Sequence, residues 1–338
     1  MDQPSIQIAR DEGVIELTPQ QGGRGFNIVL LPRSAALYIP RTRCQTTFPL
    51  ELIRCWIDHT SFAWLCDGIS RHEDPTQVEA AMKRQVLSYF PAEHFVGKRM
   101  LDFGCGTGAS TFALAKILPQ TEIVGCELDP SRVELALRMK AFYAAHNATF
   151  RCSPSGDHLP EDIGSFDFVM LSAVYEHLLP QERRIVMPLL WFAMKPGGAI
   201  FINQTPYRYS PYEAHSTGLW LVNYLPDRLA HWTVRHFAAR NLEINRSPDW
   251  DVHLRGGLRG GTERGIIRDL TGNHAQKAQV LQPHQNGLQD RADFWLSGTS
   301  PSRYRTLKRS IAGVFRITDR IWGTIPGLNL DVVIEKLA

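Results

Sequence analysis

Leu101-Asp102-Phe103-Gly104-Cys105-Gly106-Thr107-Gly108 is the stretch on which the fold turns. Met100 to Phe103 is a short apolar run of strand type, and the glycines from 104 to 108 form a tight turn. Residues 109–118 then carry a helical pattern. Glycine allows such a strand-to-helix turn and lets a ligand approach the backbone closely. The helix that follows offers unpaired N–H groups and a positive dipole end to an anionic group. Alone the turn is ambiguous, because Gly104-x-Gly106-x-x-Ala109 also satisfies the dinucleotide-binding pattern.

Downstream, strands and helices alternate. Residues 122–127 read as a second strand, and Asp129-Pro130 opens a helix with a capping side chain and a proline at its first position. Residues 149–152 and 166–172 read as the third and fourth strands. A helix over 181–194, a Lys195-Pro196-Gly197-Gly198 turn and a fifth strand at 199–203 follow. This alternation predicts an α/β fold with a doubly wound, mostly parallel sheet.

Upstream, residues 1–45 mix short β-like runs with Gly, Pro and Gln. Residues 76–90 place Val78, Ala81, Met82, Val86, Tyr89 and Phe90 on one helical face before Pro91 ends it. After Pro206 the alternation stops, and residues 206–299 are rich in aromatics, His, Arg and Gly, with a helical stretch near 227–240. Leu307, Ile311, Val314, Phe315, Ile321 and Trp322 make an apolar stripe on a C-terminal helix, and 328–335 reads as a last strand. The organisation expected is an N-terminal β/helical extension (1–97), a core (98–205), a cap inserted after strand 5 (206–299), and a helix and strand that complete the core (300–338).

With 338 residues, 43% hydrophobic and 21% charged, the chain has the composition of an ordinary globular protein. A net charge of +3 is too mild to argue for a nucleic-acid partner. No apolar run approaches the roughly 20 residues of a membrane helix, and Asp2 stands where a signal peptide carries positive charge. The six cysteines form no C-x-x-C pair and no zinc-type spacing. Free thiols and a cytoplasmic location are expected. Nothing in the sequence sets an oligomeric state.

Several features resolve the ambiguity of the glycine turn. Asp102 is a carboxylate inside strand 1, where dinucleotide-binding strands carry an apolar residue. Glu127 ends strand 2, placed to accept hydrogen bonds from two ribose hydroxyls. Gly156-Asp157-His158-Leu159-Pro160 follows strand 3, and Phe166-Asp167-Phe168-Val169 opens strand 4. As a set, with the Lys-Pro-Gly-Gly turn, residues 98–205 resemble the class I, Rossmann-like S-adenosylmethionine (SAM)-dependent methyltransferases. The resemblance implies a seven-stranded sheet and SAM as cofactor. It implies that Asp102 and the Gly104, Cys105, Gly106 and Gly108 loop hold the methionine part. Glu127, beside Leu128, would hold the ribose, and Asp157 with His158 the adenine; Ser172 ends strand 4 at the same edge.

Leu171-Ser172-Ala173-Val174-Tyr175-Glu176-His177-Leu178 lies where open α/β sheets bind ligands. Its Glu-His pair resembles small-molecule methyltransferases of the ubiquinone-biosynthesis type. Methyl transfer needs in-line alignment, and a hydroxyl acceptor gains from a base that removes its proton. His177 is the first candidate base, His215 the second, with Glu176 in support; the competing reading of Glu176 and His177 is structural capping. Relatives with Glu-x-x-Glu-His bind a divalent metal, but the first Glu position here is Ala173, so no metal is expected, although Glu176, His177 and His215 remain able to converge.

The segment 204–218 weakly resembles a T-P-N-R…H-x-T-G-L stretch of a bacterial branch of these enzymes. Tyr207, Arg208 and Glu213 are its candidate acceptor-binding residues. The Arg-Gly-Gly-rich run 254–265 reads as a turn or a substrate-anion loop. The C-terminal helix carries Arg303, Arg305, Lys308, Arg309, Arg316 and Arg320 opposite its apolar stripe. It is expected to pack on the sheet with a solvated basic face, peripheral contact with an acidic membrane being the alternative. No N/D-P-P-Y/F motif follows strand 4, which argues against nucleic-acid base amines. The expected reaction is methylation of a small-molecule hydroxyl on a sugar, glycan or lipid precursor. Its rivals are an NAD-dependent oxidoreductase and a SAM-binding protein without turnover.

Overall fold

Strands that are apolar on both faces require cover on both faces, and this requirement orders the chain. The computed structural model describes residues 5–20, 22–35, 37–272, 278–298 and 304–337. Asp2 and Arg303, singled out above, lie outside the described residues, as does the side chain of Arg305.

The extension begins with an antiparallel meander of β1 (Ile6–Ala9), β2 (Gly13–Pro19), β3 (Phe26–Pro32) and β4 (Arg43–Thr46), paired in that order. Alternation along β2 and β3 turns Ile15, Leu17, Ile28 and Leu30 inward. Helices α1 (Leu50–His59), α2 (Leu65–Glu73) and α3 (Val78–Leu87) follow. Trp56 of α1 is fully buried and donates its Nε1–H to Met139 Sδ at 3.2 Å, which ties the extension to the central unit.

That unit runs β5 (Arg99–Phe103), α4 (Ala109–Ile117), β6 (Glu122–Glu127), α5 (Pro130–Tyr143), β7 (Ala148–Cys152), β8 (Phe166–Ser172), α6 (Pro180–Ala193) and β9 (Met194–Pro206). Asp129 caps α5 by accepting from Ser131 N at 2.9 Å. The remainder contributes β10 (Tyr212–Glu213), β11 (Leu219–Trp220), α7 (Asp227–Phe237), α8 (Leu242–Asn245), α9 (Trp250–Arg255), α10 (Glu263–Thr271), β12 (Ala278–Val280), α11 (Arg291–Ser297), α12 (Arg305–Trp322) and β13 (Asn329–Lys336).

One seven-stranded sheet has the order β12-β13-β9-β8-β5-β6-β7. Strands β5 to β9 are parallel to their neighbours among themselves, and β13 runs antiparallel to β9 and to β12. This is the doubly wound sheet expected of a class I methyltransferase. Its sixth strand in chain order, β12, is only three residues long and comes from within 206–299, so that segment supplies a sheet edge as well as a cap. One sheet face packs Leu101, Val169 and Ile200 against Leu190 and Trp191 of α6 and Ile266 of α10. The other packs Met100, Phe168 and Phe201 against Met82 and Val86 of α3 and Leu114 of α4.

The C-terminal helix departs from expectation. Among the described side chains of α12, only Ala312 and Phe315 are buried, against Ala292 and Trp295 of α11 and against Ile325. Leu307, Val314, Ile321 and Trp322 are each more than half exposed. Phe315 and, partly, Ile311 of the stripe join Ala312 in this contact, while the rest of the stripe stays exposed, so α12 rests on α11 rather than seating its whole stripe on the sheet. Among the described residues no helix is long and apolar enough to cross a membrane.

Candidate active site

The turn between β5 and α4 holds Gly104, Gly106 and Gly108 at φ of +73°, +57° and +91°, in the left-handed region that L side chains enter at a cost. The three glycines serve different ends. A Cβ on Gly104 would stand 2.7 Å from Val174, and one on Gly108 2.8 Å from Phe112. A Cβ on Gly106 would meet nothing within 4 Å, so the loop backbone is open to a ligand there. Cys105 is buried beneath the turn, and the Gly104 and Cys105 N–H groups both donate to Cys126 O, at 2.8 and 3.1 Å.

Glu127 ends β6 beside this loop. Its carboxylate accepts from Gly106 N at 2.8 Å, Leu128 N at 2.9 Å and Asp129 N at 3.1 Å. Asp102 is almost fully buried beneath the turn and accepts from Ser110 Oγ at 2.7 Å and Thr111 Oγ1 at 2.6 Å. Burial pushes its carboxyl up to about 6, against the opposing pull of those two hydroxyls. Asp102 thus braces the junction of β5 and α4. Asp157 accepts from Ser155 Oγ at 2.6 Å and shares a 2.8 Å contact with His158 Nδ1. The Ser155 hydroxyl, then His158, hold it below the usual carboxylate range. Its neighbour Gly156 faces the Glu182 carboxylate of α6, which would stand 3.2 Å from a Cβ there, with Leu128 at 3.9 Å.

On the other side of the turn, β8 ends in Ser172, and Ala173 adopts φ +54°. A 3-10 turn over Tyr175–His177 follows. Glu176 is fully buried: one carboxylate oxygen accepts from Thr205 Oγ1 at 2.9 Å, and Oε1 has no hydrogen-bond partner. That oxygen lies 3.9 Å from His177 Nε2, and burial raises the Glu176 carboxyl above its ordinary range. His177 Nδ1 lies 2.6 Å from Arg255 O. A carbonyl only accepts, so Nδ1 carries the proton and Nε2 is left as an acceptor. The His215 ring lies 5.5 Å from that of His177, and burial lowers its pKa. Gly257, at φ +92°, lets the cap loop close over both rings; a Cβ there would sit 2.4 Å from His215.

Glu176, His177 and His215 bring one ligand atom each to within 4.8 Å of one another. Ala173 leaves the first position of the Glu-x-x-Glu-His pattern empty, and a cap histidine enters the neighbourhood instead. Among the described residues, these three groups are the ones that could hold a cation. Beside them lies a polar cavity of about 410 Å³, lined by Arg71, Arg84, Ala173, Asn203, Gln204, His215, Asn329 and Asp331.

Residues 101–200 match the model of a family described as a methyltransferase domain. This segment is a class I methyltransferase domain. The domain is similar to the ubiquinone biosynthesis O-methyltransferase of Xanthomonas oryzae pv. oryzae (strain PXO99A), 28% identical over 151 residues, or 44% of this chain and 59% of that protein. It is 27% identical over 121 residues to the ribosomal protein L11 methyltransferase of Janthinobacterium sp. (strain Marseille), 36% of each chain. Among solved structures, the plantazolicin methyltransferase BpumL in complex with SAH aligns over 85% of this chain and 94% of its own, with 14% identity and a TM-score of 0.42. The chain spans between 20% and 59% of the length of the first curated relatives that it matches.

The residues named from sequence divide into groups, some in the methyltransferase domain and some beyond it. The glycine loop, Glu127 and Leu128 are joined through the Glu127 carboxylate, and Asp157 and His158 are joined to each other and to Ser155. Glu176, His177 and His215 come together in a second group. Glu213 stands apart: it is buried, and its carboxylate accepts from His215 N, Ser216 N and Thr217 N and from the Ser216 and Thr217 hydroxyls. It therefore fixes the turn that carries His215. Tyr207 is buried with its hydroxyl 3.2 Å from Thr324 Oγ1, and Arg208 donates to Asn223 O. Both line a second cleft rather than the 410 Å³ cavity. Sequence reasoning missed His72 of α2, whose Nε2 lies 2.9 Å from Thr107 Oγ1 of the glycine loop. It also missed Arg71 and Arg84 from the extension. All three act across at least one intervening element, and no local spacing marks them.

Proposed function

We propose that the chain is a SAM-dependent methyltransferase that methylates a hydroxyl of a small molecule such as a sugar, glycan or lipid precursor. The observation that carries this reading is the His177 imidazole. Its Nδ1–H is committed to Arg255 O, which leaves Nε2 as the acceptor, 3.9 Å from the buried Glu176 Oε1, and the His215 ring beside it lines the polar cavity. SAM, when bound, supplies an electrophilic methyl group. Gly104, Gly106 and Gly108 with Glu127 would hold it by backbone and carboxylate, with Asp157 and His158 at the adenine end. Arg71, Asn203 and Gln204 would orient the acceptor, and His177 would take its proton as the oxygen attacks. The ubiquinone-biosynthesis O-methyltransferases among the relatives support an oxygen acceptor. The six free cysteines fit a reducing, cytoplasmic setting.

The test is radiolabelled methyl transfer from SAM into glycan and lipid extracts, with calorimetry of SAM and NADH alongside. His177→Gln is expected to lower turnover by about 10²-fold or more while leaving the SAM dissociation constant unchanged. Unchanged turnover removes His177 from the chemistry. A folded protein with no affinity for SAM overturns the reading, and affinity for NADH in its place would favour an oxidoreductase.

The unpartnered Oε1 of buried Glu176 favours a second reading of the same groups, in which Glu176, His177 and His215 bind a divalent cation. Thermal stabilisation by Mn²⁺ or Zn²⁺ that is lost in His215→Ala would support it; identical melting curves with and without metal would not.

A further inference from the structure

A second and larger cavity, a cleft of about 960 Å³, opens on the other side of the cap loop that carries Gly257. Its wall includes five arginines: Arg183, Arg208, Arg259, Arg264 and Arg268. The acids in the same wall do not balance them. Glu263 is committed to buried Arg291 at 2.6 Å, outside the cleft wall, and to Thr324 Oγ1 at 2.7 Å. Asp227 pairs with Arg259 at 3.0 Å and is itself largely exposed. Arg268 lies 3.6 Å from Asp269, which leaves Asp251 in the wall with Arg183, Arg208 and Arg264.

Two of the arginines converge. Arg208 and Arg259 each donate an Nη1–H to one oxygen, Asn223 O. Arg259 is buried, gives further bonds to Leu225 O at 2.5 Å and Asp227 at 3.0 Å, and keeps an Nε–H with no partner. Burial and the neighbouring Arg259 hold Arg208 below the usual guanidinium range. Like charges brought this close repel, and a bound anion relieves the repulsion. Thr262 to Gly265, the start of α10, lie in the same wall and aim a helix N-terminus at the cleft. Rings stand beside the charges: Arg208 lies over Tyr209 at 5.2 Å and Arg259 over Trp250 at 5.7 Å.

We propose that this cleft is a binding site for a phosphorylated organic ligand, with the phosphate between Arg208, Arg259 and the start of α10 and a flat ring or sugar face against Tyr209 and Trp250. A sugar phosphate and a nucleoside diphosphate share this chemistry. The site is separate from the glycine loop, so the proposal stands or falls independently of methyl transfer. Tyr175 links the two regions: its ring lies in the cleft wall and packs against Gly261, and its chain neighbour is Glu176.

The experiment is calorimetric titration of the full chain with inorganic pyrophosphate, glucose 1-phosphate and UDP at constant ionic strength, with SAM titrated in parallel. At least one organic phosphate is expected to bind more tightly than about 1 mM and more tightly than pyrophosphate, and which one does so identifies the ring. Arg208→Gln and Arg268→Gln are each expected to weaken it by about tenfold and to leave SAM binding unchanged. Arg268 is exposed, so R268Q decides the matter should R208Q lose SAM binding through misfolding. Binding that is absent, or equal in wild type and R268Q, or matched by sodium chloride at the same ionic strength, overturns the proposal. Loss of SAM affinity in the wild type would instead count only against the methyltransferase reading.

Discussion

Asp102 offers a sharp test of how the glycine turn is held. The carboxyl is almost fully buried, and its two hydroxyl partners do not replace water for a full negative charge. Its folded-state pKa is pushed up to about 6 from an ordinary 3.8. An acid whose folded pKa is raised favours folding in its protonated form, so this stability is present at low pH and is lost as pH rises through about 6. The difference of about two pKa units corresponds to about 3 kcal/mol at pH 8, and to about half of that at pH 5. Asp102→Asn keeps the shape, cannot ionise, and retains an oxygen to accept from Thr111 or Ser110. It is therefore expected to raise the stability at pH 8 relative to wild type by about 1.5 kcal/mol more than it does at pH 5. The assay is urea unfolding of both proteins at the two pH values, read by tryptophan fluorescence and circular dichroism. A difference between the two proteins that does not change with pH refutes the buried-charge argument. A larger gain at pH 5 would reverse its sign.

The remaining expectations concern other parts of the frame. Glu127→Ala removes three acceptor contacts to backbone N–H groups and the candidate ribose anchor; it should weaken SAM binding by about 1.5–3 kcal/mol, or tenfold to a hundredfold, by calorimetry. His72 is buried with its pKa lowered from 6.5 to about 3, by burial first and by Arg71 second. The unfolded chain takes up its proton near 6.5 and the folded chain does not, so stability is complete above that pH and is lost as pH falls toward 3. His72→Gln should flatten the acid limb of stability between pH 6.5 and 4; superimposable limbs would contradict this. On α12, Phe315→Ala should cost about 3 kcal/mol, whereas Ile321→Gln should change stability by less than about 0.5 kcal/mol. Equal losses in thermal melts would mean that the exposed stripe is packed after all.

Much of the frame was legible in the sequence. Short continuous apolar runs separated by helices, the glycine turn at 104–108 and the Asp129-Pro130 start of α5 are local signals, and each acts through backbone preference or through burial averaged over one segment. They sufficed for the parallel core and for the open glycine loop. Strand β12 carries no such signal: three residues, Ala-Gln-Val, become a strand because β13 presents an unpaired edge. The same limit applies at the site. Glu176 and His177 are adjacent in sequence, but His215 reaches them from 38 residues away because Glu213 fixes its turn and Gly257 leaves room for its ring. Glu213 itself has the residue type of a ligand-binding group, yet its carboxylate is consumed by the neighbouring backbone. Composition sets which groups can ionise or donate. Which partner each one meets, and which face of α12 is buried, depends on packing between distant segments, and that was decided only in three dimensions.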